Sequence, residues 1–239
     1  MPIMVQVSEL NFSSPEGEPI FSDFHLQLER GGFLCVVGGP ATGKTLLLRL
    51  LCRELRPQHG QILIDNCNIT RLSPERFSRL RSQIGIVPQD PQLLRRRTLA
   101  GTLCFKLRAL GLAPEMTGPK AQEILQAVGL FESRDRHLEE LAPGEARILQ
   151  LALAICHDPV LLLIDDPIRK LGSSEAERLL AVLKYIQQRH RLTVLATSRE
   201  PSVAEVLGTA VVQLMLRAQE TAPEVAPEWR LPGGRTAGS

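Results

Sequence analysis

The sequence predicts an α/β fold with a mostly parallel central sheet. Two apolar runs, at 160–166 and 192–197, are typical of strands that are covered on both faces. A third run, at 33–37, leads into the glycine-rich segment 38–45, and an apolar helical pattern follows directly. Because strands alternate with helices around these runs, we expect parallel strands joined by helical crossovers.

An antiparallel part is predicted before this sheet. Residues 3–9 and 20–28 alternate between apolar and polar side chains, and a turn-rich stretch at 13–19 separates them. Such alternation is typical of strands with one buried face. After the helix at 45–52, we expect a strand, a short helix that Ser73 caps and a second strand, at 61–65, 74–82 and 85–87.

The middle of the chain differs in character, because residues 97–157 carry helical patterns and no strand signal. Turn-forming residues at 111–114 and 142–144 divide this stretch. Helices are expected at 98–111, 119–129 and 145–157. We therefore predict a helical subdomain inserted into the α/β domain.

The last part of the chain returns to strands and helices. A helix is predicted at 174–190, with Ser174 and Glu177 as a capping box. After the strand at 192–197, a helix near 201–207 and a strand near 210–216 follow. Residues 218–239 are rich in proline, glycine, alanine and charge, which predicts disorder. The expected organisation is one domain over 1–217 and a disordered tail.

The segment GGPATGKT at 38–45 fits the pattern G-x-x-x-x-G-K-[ST] of a phosphate-binding loop. Glycines let backbone N–H groups point inward at a phosphate, and a helix N-terminus adds about half a positive charge. Lys44 is expected to contact the outer phosphates and Thr45 to ligate Mg²⁺. A chance glycine-rich turn is the alternative, which the flanking strand and helix disfavour. The predicted nucleotide-binding residues of the loop are Gly38, Gly39, Pro40, Ala41, Thr42, Gly43, Lys44 and Thr45.

Two carboxylates end the apolar run at 160–166. Because parallel strands end at one edge of a sheet, Asp165 would lie beside the phosphate-binding loop. There it can hold a metal ion opposite Thr45, and Asp166 is placed to orient a water on the terminal phosphate. The alternative is that Asp165 and Asp166 only form the turn into the next helix.

Composition limits the possible partners. The 239 residues include 28 basic and 26 acidic side chains, a balance that requires neither nucleic acid nor an acidic membrane as partner. Five cysteines are scattered without C-x-x-C spacing, which fits buried thiols in a reducing cytosol. We see no signal peptide and no apolar stretch of about 18 residues, so a separate subunit would have to span any membrane.

In combination, these motifs resemble the ATP-binding-cassette (ABC) ATPases over about residues 3–216. The resemblance implies that 38–45 is the Walker A loop and that LLLIDDP at 161–167 is the Walker B strand. It implies that Phe12 stacks on adenine. It also implies that Gln89 touches Mg²⁺ and couples to a membrane subunit.

The segment 141–145 falls where this family has its signature, which caps the γ-phosphate of a nucleotide bound to the opposite subunit. Gly144 is the matching glycine, so the resemblance makes it a nucleotide-binding residue. Ala142 lacks the hydroxyl of the usual serine, and Pro143 has no N–H to donate. Each hydrogen bond lost to a phosphate should cost about 1.5–3 kcal/mol.

Three further places depart from the family pattern. The usual catalytic glutamate is Asp166, one methylene shorter, and a base displaced by about an ångström can lose about a hundredfold in rate. The D-loop carboxylate is replaced by Gly172, and the switch histidine by Ser198. The resemblance thus implies three residues with catalytic roles and three metal-binding residues. These are Asp166, Gln89 and Ser198 for catalysis, and Thr45, Gln89 and Asp165 for Mg²⁺.

The run 69–112 most resembles the cell-division ATP-binding proteins of the FtsE type, and lipoprotein- or phospholipid-trafficking ATPases follow closely. The resemblance implies an ATPase with ATP and Mg²⁺ as cofactors, cytoplasmic and held on the inner face of the plasma membrane by an integral membrane subunit similar to an FtsX permease. The partner groove is expected near Gln89–Thr98, flanked by the arginines at 95–97. Two identical or two different cassettes would close head to tail over two nucleotides.

Other functions stay open. The altered motifs favour an ATP-responsive binding module with little or no hydrolysis. A cassette protein acting on DNA or ribosomes is disfavoured, because 239 residues hold neither a second cassette nor a long coiled-coil insert. A small-molecule kinase is also disfavoured, because the Walker B spacing and the helical insert fit a cassette better. Neither the cargo nor the choice between a homodimer and a heterodimer follows from the residues.

Overall fold

The protein is represented by a computed structural model that describes residues 2–14, 16–90 and 97–215. Within these residues, two sheets and seven α-helices form the α/β architecture expected from the sequence. The larger sheet is entirely parallel, and the smaller one is antiparallel. The predicted fold class is therefore confirmed.

The parallel sheet has five strands in the order β6-β7-β8-β3-β9. Their bounds are Phe33–Gly38 for β3, Ile84–Val87 for β6, Leu161–Asp165 for β7, Thr193–Ser198 for β8 and Ala210–Leu214 for β9. Every residue of β7 and β8 is buried, as the apolar runs predicted. The register places Asp165 opposite Thr197, and Val37 opposite Ser198, so these strands end together at one edge.

The antiparallel sheet has the strand order β2-β1-β4-β5. Its strands are β1 (Ile3–Ser13), β2 (Pro19–Glu29), β4 (His59–Ile64) and β5 (Cys67–Asn68). Helix α1 (Lys44–Leu51) and helix α2 (Pro74–Arg81) connect this part to the parallel sheet. Leu47 and Leu50 of α1 are fully buried between the two sheets, which fixes the helix that carries the loop 38–45.

The inserted helical subdomain contains α3 (Leu99–Ala109), α4 (Pro114–Ala127) and α5 (Pro143–Ile155). Helix α4 begins five residues before the predicted 119, with Pro114 in its first turn and Pro119 inside it. Proline is well tolerated in a first turn because that N–H has no helical acceptor, and Pro114 supplies this start. Two short 3₁₀ turns at 131–133 and 138–140 join α4 to α5.

Helix α6 (Ser173–His190) begins one residue earlier than predicted, and its N-cap is Gly172. The predicted capping box of Ser174 and Glu177 is therefore wrong. Glu175 is the carboxylate that reaches back instead, because it stands three residues after the cap. Helix α7 (Ser202–Leu207) leads into β9.

The structure describes no helix that is long and apolar enough to cross a membrane. Two predictions fall partly or wholly outside the described residues. The tail at 218–239 is one, and the central part of the expected partner groove, residues 91–96 with Arg95 and Arg96, is the other.

Candidate nucleotide-binding site

The loop 38–45 connects the end of β3 to the start of α1. Gly43 is the N-cap of α1 and has a left-handed φ of 91°, and a Cβ atom there would lie 2.6 Å from Cγ2 of Ile20. A Cβ atom on Gly38 would lie 2.6 Å from the Leu214 carbonyl oxygen. Both glycines of the motif are therefore required by the backbone. The loop leaves Gly39, Pro40 and Ala41 exposed.

Lys44 lies across this loop. Its Nζ donates to the Gly38 carbonyl at 2.7 Å, to the Gly39 carbonyl, and to Oγ1 of Thr42 at 3.2 Å. Burial and the Arg199 charge lower the pKa of Lys44, and the carboxylates of Asp166 and Asp165 act in the opposite direction. The amine is thus held over the loop, where it can contact a phosphate.

Two of the three residues predicted to hold a metal ion, Thr45 and Asp165, converge. Oγ1 of Thr45 donates to Oδ2 of Asp165 at 2.8 Å, although 120 residues separate them in sequence. Oγ1 of Thr197 donates to the other carboxylate oxygen at 2.7 Å and fixes the orientation of Asp165. A hydroxyl and a carboxylate at the mouth of the loop are hard oxygen donors, which fit Mg²⁺ bound together with a phosphate.

Thr197 was not predicted as a site residue. Its position at the end of β8, directly opposite Asp165 in the parallel register, is the signal that could have identified it. It also accepts a hydrogen bond from the Asp166 amide at 3.1 Å. One side chain therefore fixes both carboxylate residues.

Asp166 is buried at the same edge, with only 4% of its surface exposed. Its backbone has a left-handed φ of 46°. Burial raises the pKa of its carboxyl group above the ordinary value, while Arg199 and a hydrogen bond from Gln89 act in the opposite direction. The structure thus brings together Asp166 and Gln89, two of the three residues with an expected catalytic role.

Arg199 was not predicted as a site residue, yet its Nε lies 3.5 Å from Oδ2 of Asp166. Ser198, which stands at the place of the switch histidine, is fully buried. Oγ of Ser198 accepts from the Glu200 amide at 3.0 Å, so the hydroxyl is used within its own turn. At this edge the positively charged group that contacts the Asp166 carboxylate is therefore the Arg199 guanidinium.

Arg147 is a third residue that was not predicted, and it is 4% exposed within the apolar helix α5. Its guanidinium donates to the carbonyls of Asp165 at 2.7 Å, Asp166 at 2.9 Å and Pro167 at 3.1 Å. It also donates to the Pro88 carbonyl, next to Gln89. Arg147 thereby joins α5 to the ends of β6 and β7. In the sequence, the one indication of this role was that Arg147 is a lone basic residue in an apolar helix.

The signature segment at the start of α5 is engaged within the chain. The Gly144 amide donates to Oε1 of Glu175 at 2.9 Å, and the Ala142 amide to Oε2 of Glu145 at 3.1 Å. The other oxygen of Glu175 accepts from the Gly172 amide at 3.2 Å. Pro143 has no N–H, and the amides of Ala142 and Gly144 are both bonded within the chain. No backbone amide at 142–144 is therefore free to bind a phosphate of an opposite subunit.

Phe12 is 9% exposed and lies opposite Phe21 in the β1–β2 pair. Both rings belong to the core between the two sheets. Little of the Phe12 ring is left for an adenine base, so its stacking role stays a prediction.

Comparison with known proteins gives a family match over more than half of the chain. The profile of a family described as "ABC transporter" matches residues 21–169. The methionine import ATP-binding protein MetN of Carboxydothermus hydrogenoformans is 28% identical over 201 residues, which cover 84% of this chain and 60% of that protein. MetN 2 of Burkholderia mallei is 30% identical over 223 residues, which cover 93% of this chain and 56% of that protein.

The chain thus spans little more than half the length of these curated relatives. They are named for methionine import, so the closer resemblance to FtsE-type proteins is not confirmed. The rest of each relative has no counterpart in the aligned part of this chain.

Two solved structures share the fold. CbiO1 from Clostridium perfringens, part of the ABC transporter complex cbiONQ, superposes with a TM-score of 0.82 at 22% identity, over 90% of this chain and 85% of that one. The dimeric structure of a bacterial ABC transporter cassette gives a TM-score of 0.77 at 21% identity, over 89% and 94% of the two chains. At these identities the likeness concerns the fold.

Proposed function

Because the chain belongs to the ABC transporter family, we propose that it is an ATP-binding subunit of a membrane transport complex. The observation that carries the proposal is the convergence of Lys44, Thr45 and Asp165 at one sheet edge. ATP would bind with its phosphates on the loop 38–45, and closure against a second cassette would act on an integral membrane subunit. We place the chain on the cytoplasmic side of that subunit.

Each residue at the edge has a task in this proposal. The loop amides and Lys44 bind the phosphates, and Thr45 and Asp165 hold Mg²⁺. When bound, Mg²⁺ neutralises charge on the phosphate oxygens. Asp166 orients the attacking water and accepts its proton, with Gln89 hydrogen-bonded beside it.

We further propose that hydrolysis is slow. Asp166 is shorter than the glutamate of the family pattern, and its carboxylate is paired with Arg199 in this structure. The Gly144 amide is occupied by Glu175, so the signature offers the opposite nucleotide a carboxylate where the family offers N–H groups. Both features lower the stabilisation of the transition state.

For the transported solute, the relatives are the guide. Their names favour import of an amino acid, with methionine as the first compound to test. No side chain of the ATP site would contact such a solute, so selectivity for the solute would belong to the membrane subunit. The cell-division role and the FtsX-like partner are weaker proposals, which rest on the resemblance of the run 69–112.

The test of the ATP site is binding of MgATP to the purified chain, measured by calorimetry. Lys44→Ala should weaken binding strongly, because the cation that contacts the phosphates is lost, while the exposed Lys184→Ala should bind as the unaltered chain does. Equal affinity of Lys44→Ala and the unaltered chain would refute the site.

A second candidate function, an ATP-responsive module without turnover, is favoured by the occupied Gly144 amide. Steady-state phosphate release separates the two candidates. Release above background that Asp166→Asn abolishes supports the slow ATPase. Tight MgATP binding with release at background, also in membranes containing the permease, supports the module. An Asp166→Asn variant with unchanged release would rule out Asp166 as the base.

A further inference from the structure

We propose that Arg199 contacts the terminal phosphate of bound ATP and, at the same time, holds Asp166 beside it. The inference rests on the proposed ATP site and adds a residue to it. In the family pattern a switch histidine stands at the place of Ser198. In this chain the next residue, Arg199, carries the side chain that faces Asp166.

Ser198 is in no position to replace that histidine. Its side chain is fully buried, so a phosphate could reach the hydroxyl only if the turn after β8 opened. The hydroxyl oxygen also accepts the Glu200 amide, which links it to that turn. Ser198 therefore contributes to the packing of β8 and to the turn that follows this strand.

Arg199 has the reach and the surroundings that the contact requires. Its side chain is 47% exposed, whereas the side chain of its partner Asp166 is 6% exposed, so the guanidinium lies on the solvent side of the buried carboxylate. The Arg199 charge also lowers the pKa of Lys44, whereas the carboxylates of Asp165 and Asp166 raise it. Two cations, Lys44 and Arg199, and these two carboxylates thus lie close enough at this edge of the sheet to act on one another.

The geometry of the ion pair leaves donors for a ligand. The contact to Asp166 uses Nε, and among the described residues no hydrogen bond engages the two terminal nitrogens of Arg199. A planar guanidinium can donate to a carboxylate from one side and to a phosphate from the other. Arg199 would therefore bind the γ-phosphate and fix Asp166 at a constant distance from it.

This arrangement predicts discrimination between ATP and ADP. The α- and β-phosphates lie on the loop amides, whereas the γ-phosphate lies outermost, toward Arg199 and the Asp166 carboxylate. A contact made only to the γ-phosphate changes the affinity for ATP and leaves that for ADP unaltered. The ratio of the two dissociation constants therefore reports Arg199 separately from the rest of the site.

The experiment measures binding of MgADP and of a non-hydrolysable MgATP analogue to the purified chain by calorimetry. For Arg199→Gln, loss of the charged hydrogen bonds should weaken the analogue by about tenfold or more, with ADP unchanged. Arg199→Lys keeps the positive charge but lacks the planar guanidinium, so it should retain part of the affinity that Arg199→Gln loses. Arg178→Gln, which removes an exposed arginine bound to the Gly129 carbonyl, is the matched control and should leave both constants unchanged.

The outcomes separate the two levels of the proposal. If the unaltered chain binds both nucleotides and Arg199→Gln leaves their ratio unchanged, Arg199 has no phosphate contact. The same holds if the variant weakens both nucleotides equally, because a contact to the γ-phosphate alone cannot change the affinity for ADP. If the unaltered chain binds neither nucleotide, the ATP site itself is refuted together with this inference.

Discussion

Replacing Glu175 with alanine should destabilise the chain by about 2 kcal/mol. The carboxylate accepts the Gly144 amide at 2.9 Å and the Gly172 amide at 3.2 Å, so it holds the starts of α5 and α6 together. Gly144 is buried, and leaving its N–H without a partner costs about 1.5 kcal/mol. Gly172 is exposed, so water replaces the lost partner and the cost is about 0.5 kcal/mol, as for a surface helix cap.

Urea and thermal unfolding of the purified chain measure this loss. For a chain of this size, about 2 kcal/mol lowers the melting temperature by about 4–8 °C. Glu175→Gln keeps one acceptor oxygen and should lose about half as much. The control is Glu177→Ala, an exposed carboxylate on the same helix, for which a change below about 0.5 kcal/mol is expected. A Glu175→Ala variant that unfolds together with the control would refute the bridging role.

Three further predictions concern other buried groups. Arg147→Met should lower the free energy of unfolding by about 3–5 kcal/mol in urea, because four carbonyls lose their buried donor. Asp165→Asn should make nucleotide affinity nearly independent of Mg²⁺ in titrations with and without EDTA, whereas the exposed Asp158→Asn should not. Burial raises the pKa of Cys35 to about 11, so at pH 8 only about one part in a thousand is thiolate. A thiol reagent should therefore modify exposed Cys67 first, and rapid labelling of Cys35 at pH 8 would contradict its burial.

The fold and the core of the site were predictable because their signals are local. The loop 38–45 carries its motif within eight consecutive residues, and the strand and helix beside it are equally short-range. Asp165 required one further step, since parallel strands end at a common edge. The contact between Thr45 and Asp165 follows from those two facts.

Arg147, Glu175 and Arg199 were missed because their roles depend on partners far away in sequence. Arg147 bonds to carbonyls 18 to 59 residues away, and Glu175 reaches back 31 residues. A backbone carbonyl or amide has no residue-type signature, so no motif indicates such contacts. Charged residues on a helix are usually solvated, and only the structure distinguishes these from the others.

The helix boundaries show the same limit. The predicted helix 119–129 begins at Pro119, but Pro114 lies in the first turn of the observed helix and the helix continues through Pro119. At α6 the sequence predicted a capping box of Ser174 and Glu177, whereas Glu175 accepts the Gly172 amide in the structure. Glu175 also accepts the distant amide of Gly144, a contact that no local pattern indicates.

The hydrogen bonds of Arg147 have a consequence for local opening of the chain. If α5 detached while the sheet stayed intact, the carbonyls of Pro88, Asp165, Asp166 and Pro167 would lose their common donor, and the guanidinium would lose all of them at once. Fraying of α5 by itself is therefore suppressed. We therefore expect the amide hydrogens of α5 to exchange with solvent only when the ends of β6 and β7 open as well. Helix α5 and the sheet edge that carries Asp165 and Asp166 then form one cooperative unit.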